Sequence, residues 1–258
     1  MKGALTKPST TNERQSLHWT FWFGVSFFVL VIVSILGSAY VLLHRLQQDE
    51  AAPLTHIVID GHNPYTQRAE VLKAIDAVNL NNFFNVDVNQ VQQHLATLPW
   101  VYSVSVRKQW PNELKIYLVD QTPVAIWNGD FILNQYGQTF QADQQKLKSP
   151  LPQLFGPGGS EQLALKNYQQ MDKLLSYGQL SISELILSER FAWQLTLTNG
   201  VILNLGREDR FARVQRFLDV FQEIKKTEPA NQTIDTIDLR YDTGLAVAWK
   251  PINNKQRV

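Results

Sequence analysis

From Trp19 to Leu43 the chain carries no charge, and that single fact constrains it more than any other. The run WTFWFGVSFFVLVIVSILGSAYVLL holds twenty-five residues. As a helix at about 1.5 Å per residue it reaches roughly 37 Å, enough to cross a ~30 Å hydrocarbon layer with some tilt. Trp19 and Trp22 stand at one end and Tyr40 near the other, where amphipathic rings settle at the two interfaces. Lys2, Lys7 and Arg14 precede the run against Glu13 alone, while Arg45, Asp49 and Glu50 follow it. The positive-inside rule therefore makes residues 1–18 a cytoplasmic tail and 19–43 a transmembrane helix. A cleaved signal peptide would have a shorter apolar stretch and a small-residue cleavage site, and LGSAY is a poor one. A buried core helix of this length would show a polar face. Ser34 and Ser38 form a small-xxx-small pair, a weak sign of helix packing in the bilayer.

The remainder is different in kind. The 258 residues include 18% charged and 44% apolar side chains, so a sizeable core can be buried. From residue 51 onward twenty acidic side chains meet twenty basic ones, and the whole chain carries +1. No basic field is present to attract nucleic acid. Cysteine is absent, which excludes disulfides, thiolate metal sites and a cysteine nucleophile.

After a linker, Gln47 to Pro53, the pattern is β-α-α-β-β. Ile57 to Ile59 reads as a strand ended by Asp60-Gly61. Val71, Leu72, Ile75 and Val78 fall at helical spacing. Asp87 to Gln90 reads as a capping box for a second helix with the face Val88, Val91, Leu95 and Leu98. Val104 and Val106 alternate with Ser103, Ser105 and Arg107, Trp110-Pro111-Asn112-Glu113 turns, and Leu114, Ile116 and Leu118 return. These make a domain over 54–122.

A second domain is expected over 123–251, with a tail at 252–258. Asn128-Gly129-Asp130 separates two strands, and Gln135 to Gln141 suggests another hairpin. Ser149 to Ser160 is rich in Pro and Gly and reads as loop. Glu161 to Tyr177 and Glu208 to Lys226 read as amphipathic helices, the second with Phe211, Val214, Leu218, Phe221 and Ile224 inward. Between them, Ile182 to Leu187 is strand-like. Phe191, Trp193, Leu195 and Leu197 then alternate up to the Asn199-Gly200 turn, and Val201 to Leu205 returns. Ile237, Leu239 and Tyr241, then Leu245, Val247 and Trp249, form a last hairpin around Asp242-Thr243-Gly244. The expected fold class is α+β: one transmembrane helix, a β-α-α-β-β domain, then a mainly antiparallel β domain with flanking helices. The final strand is a candidate sheet edge, open either to a partner segment that adds as a strand or to capping by the tail Asn253–Val258.

Chemistry is sparse. The five histidines, His18, His44, His56, His62 and His94, lack metal-site spacing, and no metal or cofactor is expected. No nucleophile elbow, Walker loop or dinucleotide fingerprint occurs, and the glycines of Gly156 to Gly159 lack the lysine of a phosphate loop. Glu208-Asp209 suits a helix's opening turn, and Asp235/Asp238 lacks a partner that would mark acid/base work. Arg107 to Trp110 and Arg240 to Thr243 form polar-aromatic strand ends. Core packing is the leading expectation for Trp110, Trp193 and Trp249.

The segments LPWVYSVSVRKQWPNELKIYLVDQTPVAIW, FAWQLTLTNGVILNLGR and IDLRYDTGLAVAW, behind a membrane helix, resemble the FtsQ/DivIB family of division proteins. The first segment carries that family's POTRA-like signature. The resemblance implies a non-enzymatic scaffold in the inner membrane of a Gram-negative cell, at the septum, with its bulk in the periplasm. It implies FtsB, itself paired with FtsL, as the partner of Tyr241, Thr243, Gly244 and Trp249, with Arg190 contributing. At the SVRK strand, Val106 and Lys108 would form a recruitment face for earlier division proteins, FtsK among them. No small-molecule substrate is implied. Family members often carry serine where Thr243 stands, and both have a hydroxyl. A rival reading keeps the POTRA-like unit but makes the chain an assembly or translocation component. The missing barrel strands and the single such unit argue against it.

Overall fold

The computed structural model describes residues 19–46, 53–78 and 80–252. The flanking charges Lys2, Lys7, Glu13, Arg14, Asp49 and Glu50, and the expected linker and tail at 47–52 and 253–258, lie outside them. The chain forms two compact units, Met1–Val58 with Val78–Val88 and Arg107–Lys115, and Ile59–Ala77 with Asn89–Val106 and Ile116–Val258.

In the first unit, α1 (Trp19–Leu46) is the apolar run wound as one helix. Its segment Phe21–His44 is long and apolar enough to cross a membrane, and none of it is buried by protein. An aqueous protein would have to cover such a surface, so the length and the exposure are consistent with lipid as its solvent. Phe83 is buried in this unit, with Phe84 and Trp110 edge-on against it at 5.6 and 5.9 Å between ring centroids. Trp110 is therefore not a core residue as expected: it is 72% exposed.

The β-α-α-β-β order is present as β1 (His56–His62), α2 (Arg68–Ile75), α3 (Val88–Ala96), β2 (Val101–Gln109) and β3 (Glu113–Asp120). The sheet runs β1-β3-β2. Leu114, Ile116 and Leu118 on β3 are fully buried, as period-two alternation requires. β1 passes through Asp60-Gly61 rather than ending there. Gly61 permits this at φ +112, where a Cβ would fall 2.1 Å from the Leu118 carbonyl oxygen. On α2, Val71 and Ile75 are buried but Leu72 is exposed, because the helix is only 8 residues long and its buried stripe is narrow. A glutamate reaching back to its helix start appears here: Glu70 accepts from the Gln67 backbone N–H at 3.0 Å.

The second unit's main sheet has nine strands in the order β12-β11-β10-β9-β8-β7-β4-β5-β6. They are β4 (Pro123–Trp127), β5 (Phe131–Asn134), β6 (Thr139–Phe140), β7 (Gln153–Phe155), β8 (Ile182–Leu187), β9 (Trp193–Leu197), β10 (Ile202–Gly206), β11 (Gln232–Asp238) and β12 (Ala246–Pro251). Five neighbouring pairs are antiparallel and three parallel. The parallel pairs β7–β8 and β10–β11 are joined through α4 (Glu161–Ser176) and α5 (Arg210–Lys226), as parallel neighbours need a crossover. The core between sheet and helices is built on Leu154, Leu165, Met171, Leu185, Leu195, Leu203, Phe217 and Ile237.

Several expectations give way. The stretch 149–160 contains β7, which pairs with β4 and β8 on its two sides. Three residues are enough because Leu154 is completely buried there, while proline and glycine bracket the strand rather than abolish it. Phe191 faces solvent at φ 58, since the strand starts two residues later at Trp193. Glu208 and Asp209 precede α5 rather than open it. On α5, Phe217 is fully buried, a core position the expected face omitted. Tyr241 lies beyond β11, which begins five residues earlier than its apolar alternation suggested.

At the β6 end, Trp100 is 3% exposed and sandwiched. Tyr65 stacks on it at 4.2 Å and Phe140 meets it edge-on at 5.4 Å. Buried Asp120 accepts from the Tyr65 and Thr66 backbone N–H groups and from the Thr66 hydroxyl at 2.8, 2.9 and 2.6 Å. Lys146 donates to Glu70 at 2.6 Å across the same joint.

Candidate functional site

β12 ends the strand order, so among the described residues it has a neighbour on one side only, β11. Its inward residues explain why it stays attached: Val247 and Trp249 are half-buried against the main core, and Trp249 lies opposite Ile234. Ala246 and Ala248 are exposed, which leaves the strand low and accessible. Trp249 thus serves the core and presents a rim at the edge. Trp193, by contrast, is 4% exposed and purely a core residue.

The connection into β12 is tied to α5. Arg216 donates to the Asp242 carbonyl at 2.6 Å and to the Leu239 carbonyl at 3.2 Å, tying the 239–244 connection to the helix. That tie leaves Tyr241 57% exposed, with Thr243 and Gly244 exposed beside it. A Cβ on Gly244 would meet nothing within 4 Å, so the free chain does not require glycine there.

Arg190, Arg207, Glu208, Arg213 and Arg240, with Ala192 and Gly206, line a hollow of about 440 Å³. Four arginines against one glutamate make it basic. Two of them are already engaged. Arg213 donates to the Leu205 carbonyl at 2.5 Å, and Arg240 forks onto Asp238 with its closest contact at 2.6 Å. The hydrogen-bonded Arg240 guanidinium holds the Asp238 carboxyl below its ordinary value, and Asp238 in turn holds Arg240 above its own. Arg240 therefore stands pre-oriented, with an exposed side chain. Asp235 pairs with Lys250 at 3.1 Å, so each member of the Asp235/Asp238 pair answers a cation rather than the other acid.

The structure brings Arg190 and Arg240 to one hollow, and Tyr241, Thr243 and Gly244 to the connection that leads into β12. Sequence reasoning missed Arg207, Arg213 and Arg216. A partial signal was present: Arg213 and Arg216 stand three residues apart on one side of α5, where Arg213 reaches the Leu205 carbonyl and Arg216 the 239–244 connection. Val106 and Lys108 have unlike environments. Val106 is buried, and the Lys108 ammonium donates to the Phe84 carbonyl at 2.7 Å while lying 5.6 Å from the Phe83 ring. Burial lowers the Lys108 pKa, against the opposing pull of Asp87. Among the described residues no group of three or more His, Asp or Glu side chains is arranged to hold a metal.

A β-α-α-β-β domain, a nine-stranded mixed sheet ending in β12 and a membrane-length apolar helix define the class by fold: an α+β protein with one candidate membrane span. Comparison with known proteins gives the class its family. Residues 52–121 match the FtsQ-type POTRA domain, and residues 125–240 match the C-terminal region of cell division protein FtsQ/DivIB. The cell division protein FtsQ of Shewanella oneidensis is 38% identical over 95% of this chain and 93% of its own length. That of Aliivibrio fischeri is 36% identical over 90% and 91%, and that of Escherichia coli 36% over 89% and 84%. The chain belongs to the FtsQ/DivIB family of cell-division proteins.

Proposed function

We propose that this chain is a non-enzymatic scaffold of the bacterial inner membrane that binds FtsB, with FtsL, and links early and late division proteins at the septum. α1 anchors it as a single-pass type II protein, with residues 1–18 cytoplasmic and the bulk periplasmic. The observation that carries the reading is β12, six residues long and terminal in the nine-strand order. A partner segment adds outside it through backbone hydrogen bonds, which supply affinity without demanding a particular sequence. Specificity comes from the side chains alongside. Tyr241 offers an apolar ring with a polar tip, Thr243 a hydroxyl, Gly244 room for a close approach, and Trp249 a half-buried rim. Arg190 and Arg240 suit a carboxylate on the partner. On the other domain, Lys108 offers its side chain to an earlier-recruited protein such as FtsK, and buried Val106 keeps that strand in register. Nucleic acid, small-molecule substrate, cofactor and metal have no place in this reading.

Titration of the full-length chain in nanodiscs with the periplasmic segment of FtsB tests it. Tyr241→Ala should weaken binding by about 2 kcal/mol, roughly thirty-fold, as a hot-spot aromatic does. The circular dichroism spectrum should be unchanged. A folded variant that binds as well as the parent would sink the assignment.

A further inference from the structure

The turn between β2 and β3 carries an aromatic patch that the partner reading does not use. Trp110 is 72% exposed, more than Trp19 at 68% or Trp22 at 60% on the apolar helix itself. Phe84 lies edge-on to it at 5.7 Å and is also exposed. Buried Phe83 backs both rings. Lys108 pins the arrangement by its hydrogen bond to the Phe84 carbonyl, and exposed Arg107 flanks it. A soluble domain gains nothing from holding two large rings out in water, so such a patch marks a contact.

Its position says which contact. Both loops that carry the rings are fastened to the chain as it arrives from α1. Pro53 bridges Asn82, two residues before Phe84, and the Thr55 and His56 N–H groups donate to the Asn112 carbonyl, two residues after Trp110. All of these residues belong to the same compact unit as α1. Only six residues separate Leu46 from Pro53. Fully extended, that connection spans on the order of 25 Å, less than the thickness of one bilayer.

We propose that Trp110 and Phe84 form a membrane-docking patch, which seats the first domain against the lipid headgroup region at the foot of α1. Tryptophan rings favour that zone, where an apolar body and a polar N–H are both accommodated. The tether makes the contact intramolecular, so a shallow insertion that would be negligible for a free domain is populated. Arg107 adds attraction to anionic headgroups, offset by Asp87 and Glu113, so ring insertion supplies most of the contact. This inference stands apart from the scaffold reading and survives its failure.

The absence of cysteine allows a clean test. Full-length Gln109→Cys carries a fluorophore and is reconstituted into vesicles of phosphatidylethanolamine and phosphatidylglycerol. Quenching is read with a nitroxide placed near the lipid headgroup and with a water-soluble quencher. Lipid-borne quenching should exceed that of the same labelled chain bearing Trp110→Ser and Phe84→Ser by about three-fold, and aqueous quenching should move the opposite way. Trp110→Ser alone, at a side chain mostly in solvent, serves if the double variant loses its circular dichroism. Equal quenching in parent and variants would overturn the proposal, because the tether and not the rings would then hold the label near lipid. Protection that appears only after FtsB and FtsL are added would overturn it too, in favour of a protein contact.

Discussion

At one end of the nine-strand order, β6 is two residues long, and its Phe140 turns under Trp100. At the other end, β12 runs six residues with alanines outward and an exposed Tyr241 leading in. Every sheet edge offers unpaired backbone groups, and proteins blunt that hazard with short strands, charges or covering elements. The β6 end is blunted twice, by brevity and by the Tyr65–Trp100–Phe140 stack. Among the described residues the β12 end carries Lys250, paired with Asp235, and Pro251 at its finish, and its first four residues hold no charge or proline. Among the described residues one edge is covered and the other is left long, which is the contrast the scaffold proposal rests on. The stability of the fold should therefore be concentrated at the β6 end and partner affinity at the β12 end.

Trp100→Ala should produce the largest effect and would break the comparison most directly. Removing a 3% exposed indole strips two ring contacts and opens a cavity, which costs about 3–5 kcal/mol. Denaturant unfolding measures it. If FtsB affinity in the folded fraction fell equally, the two ends would not be separable. Asp120→Ala comes next. Three donors would lose a buried acceptor, at a cost of about 3 kcal/mol. A variant that unfolds at the parent's denaturant midpoint would show that those donors find other partners.

Gly244→Ala sharpens the other side. Its Cβ would meet nothing within 4 Å in the free chain, so the unfolding midpoint should hold. If a partner backbone approaches as closely as strand addition requires, binding should weaken by about 1 kcal/mol. Calorimetric titration of parent and variant checks it, and equal affinities would mean the partner docks elsewhere along β12.

How much of this was legible in the sequence follows the same division. Period-two alternation located β3, β9 and β10, because each buries one face and shows the other. The membrane run needed only composition. β7 was hidden because three residues between proline and glycine carry no period to detect, and only its two parallel neighbours make it a strand. Trp110 was misjudged because a tryptophan's residue type favours burial, while its exposure is decided by the turn that carries it. At the candidate site, Tyr241, Thr243, Gly244 and Trp249 came from motif resemblance. Arg190 came from it too, but the basic hollow did not, because Arg190, Arg207 and Arg240 are separated in sequence and meet only once β8, β9, β10 and β11 lie side by side.

The smallest effect lies at the Lys146–Glu70 pair, 2.6 Å apart with side chains 28% and 40% exposed. The Lys146 hydrogen bond, with help from the Gln67 backbone N–H, lowers the Glu70 pKa below its ordinary 4.5. The folded state thus binds this proton less readily than the unfolded chain does. The pair's contribution is complete above about pH 4.5 and fades as the pH falls through the lowered folded value. Exposure and salt screening limit it to about 0.5 kcal/mol. Glu70→Gln should lose that amount at pH 7, and the gap to the parent should narrow by pH 3 as the parent's own carboxylate is neutralised. Denaturant midpoints at the two pH values decide it. A gap that stays constant would mean the charge contributes nothing and the side chain acts by packing alone, leaving the aromatic stack and Asp120 as what holds the covered end of the sheet.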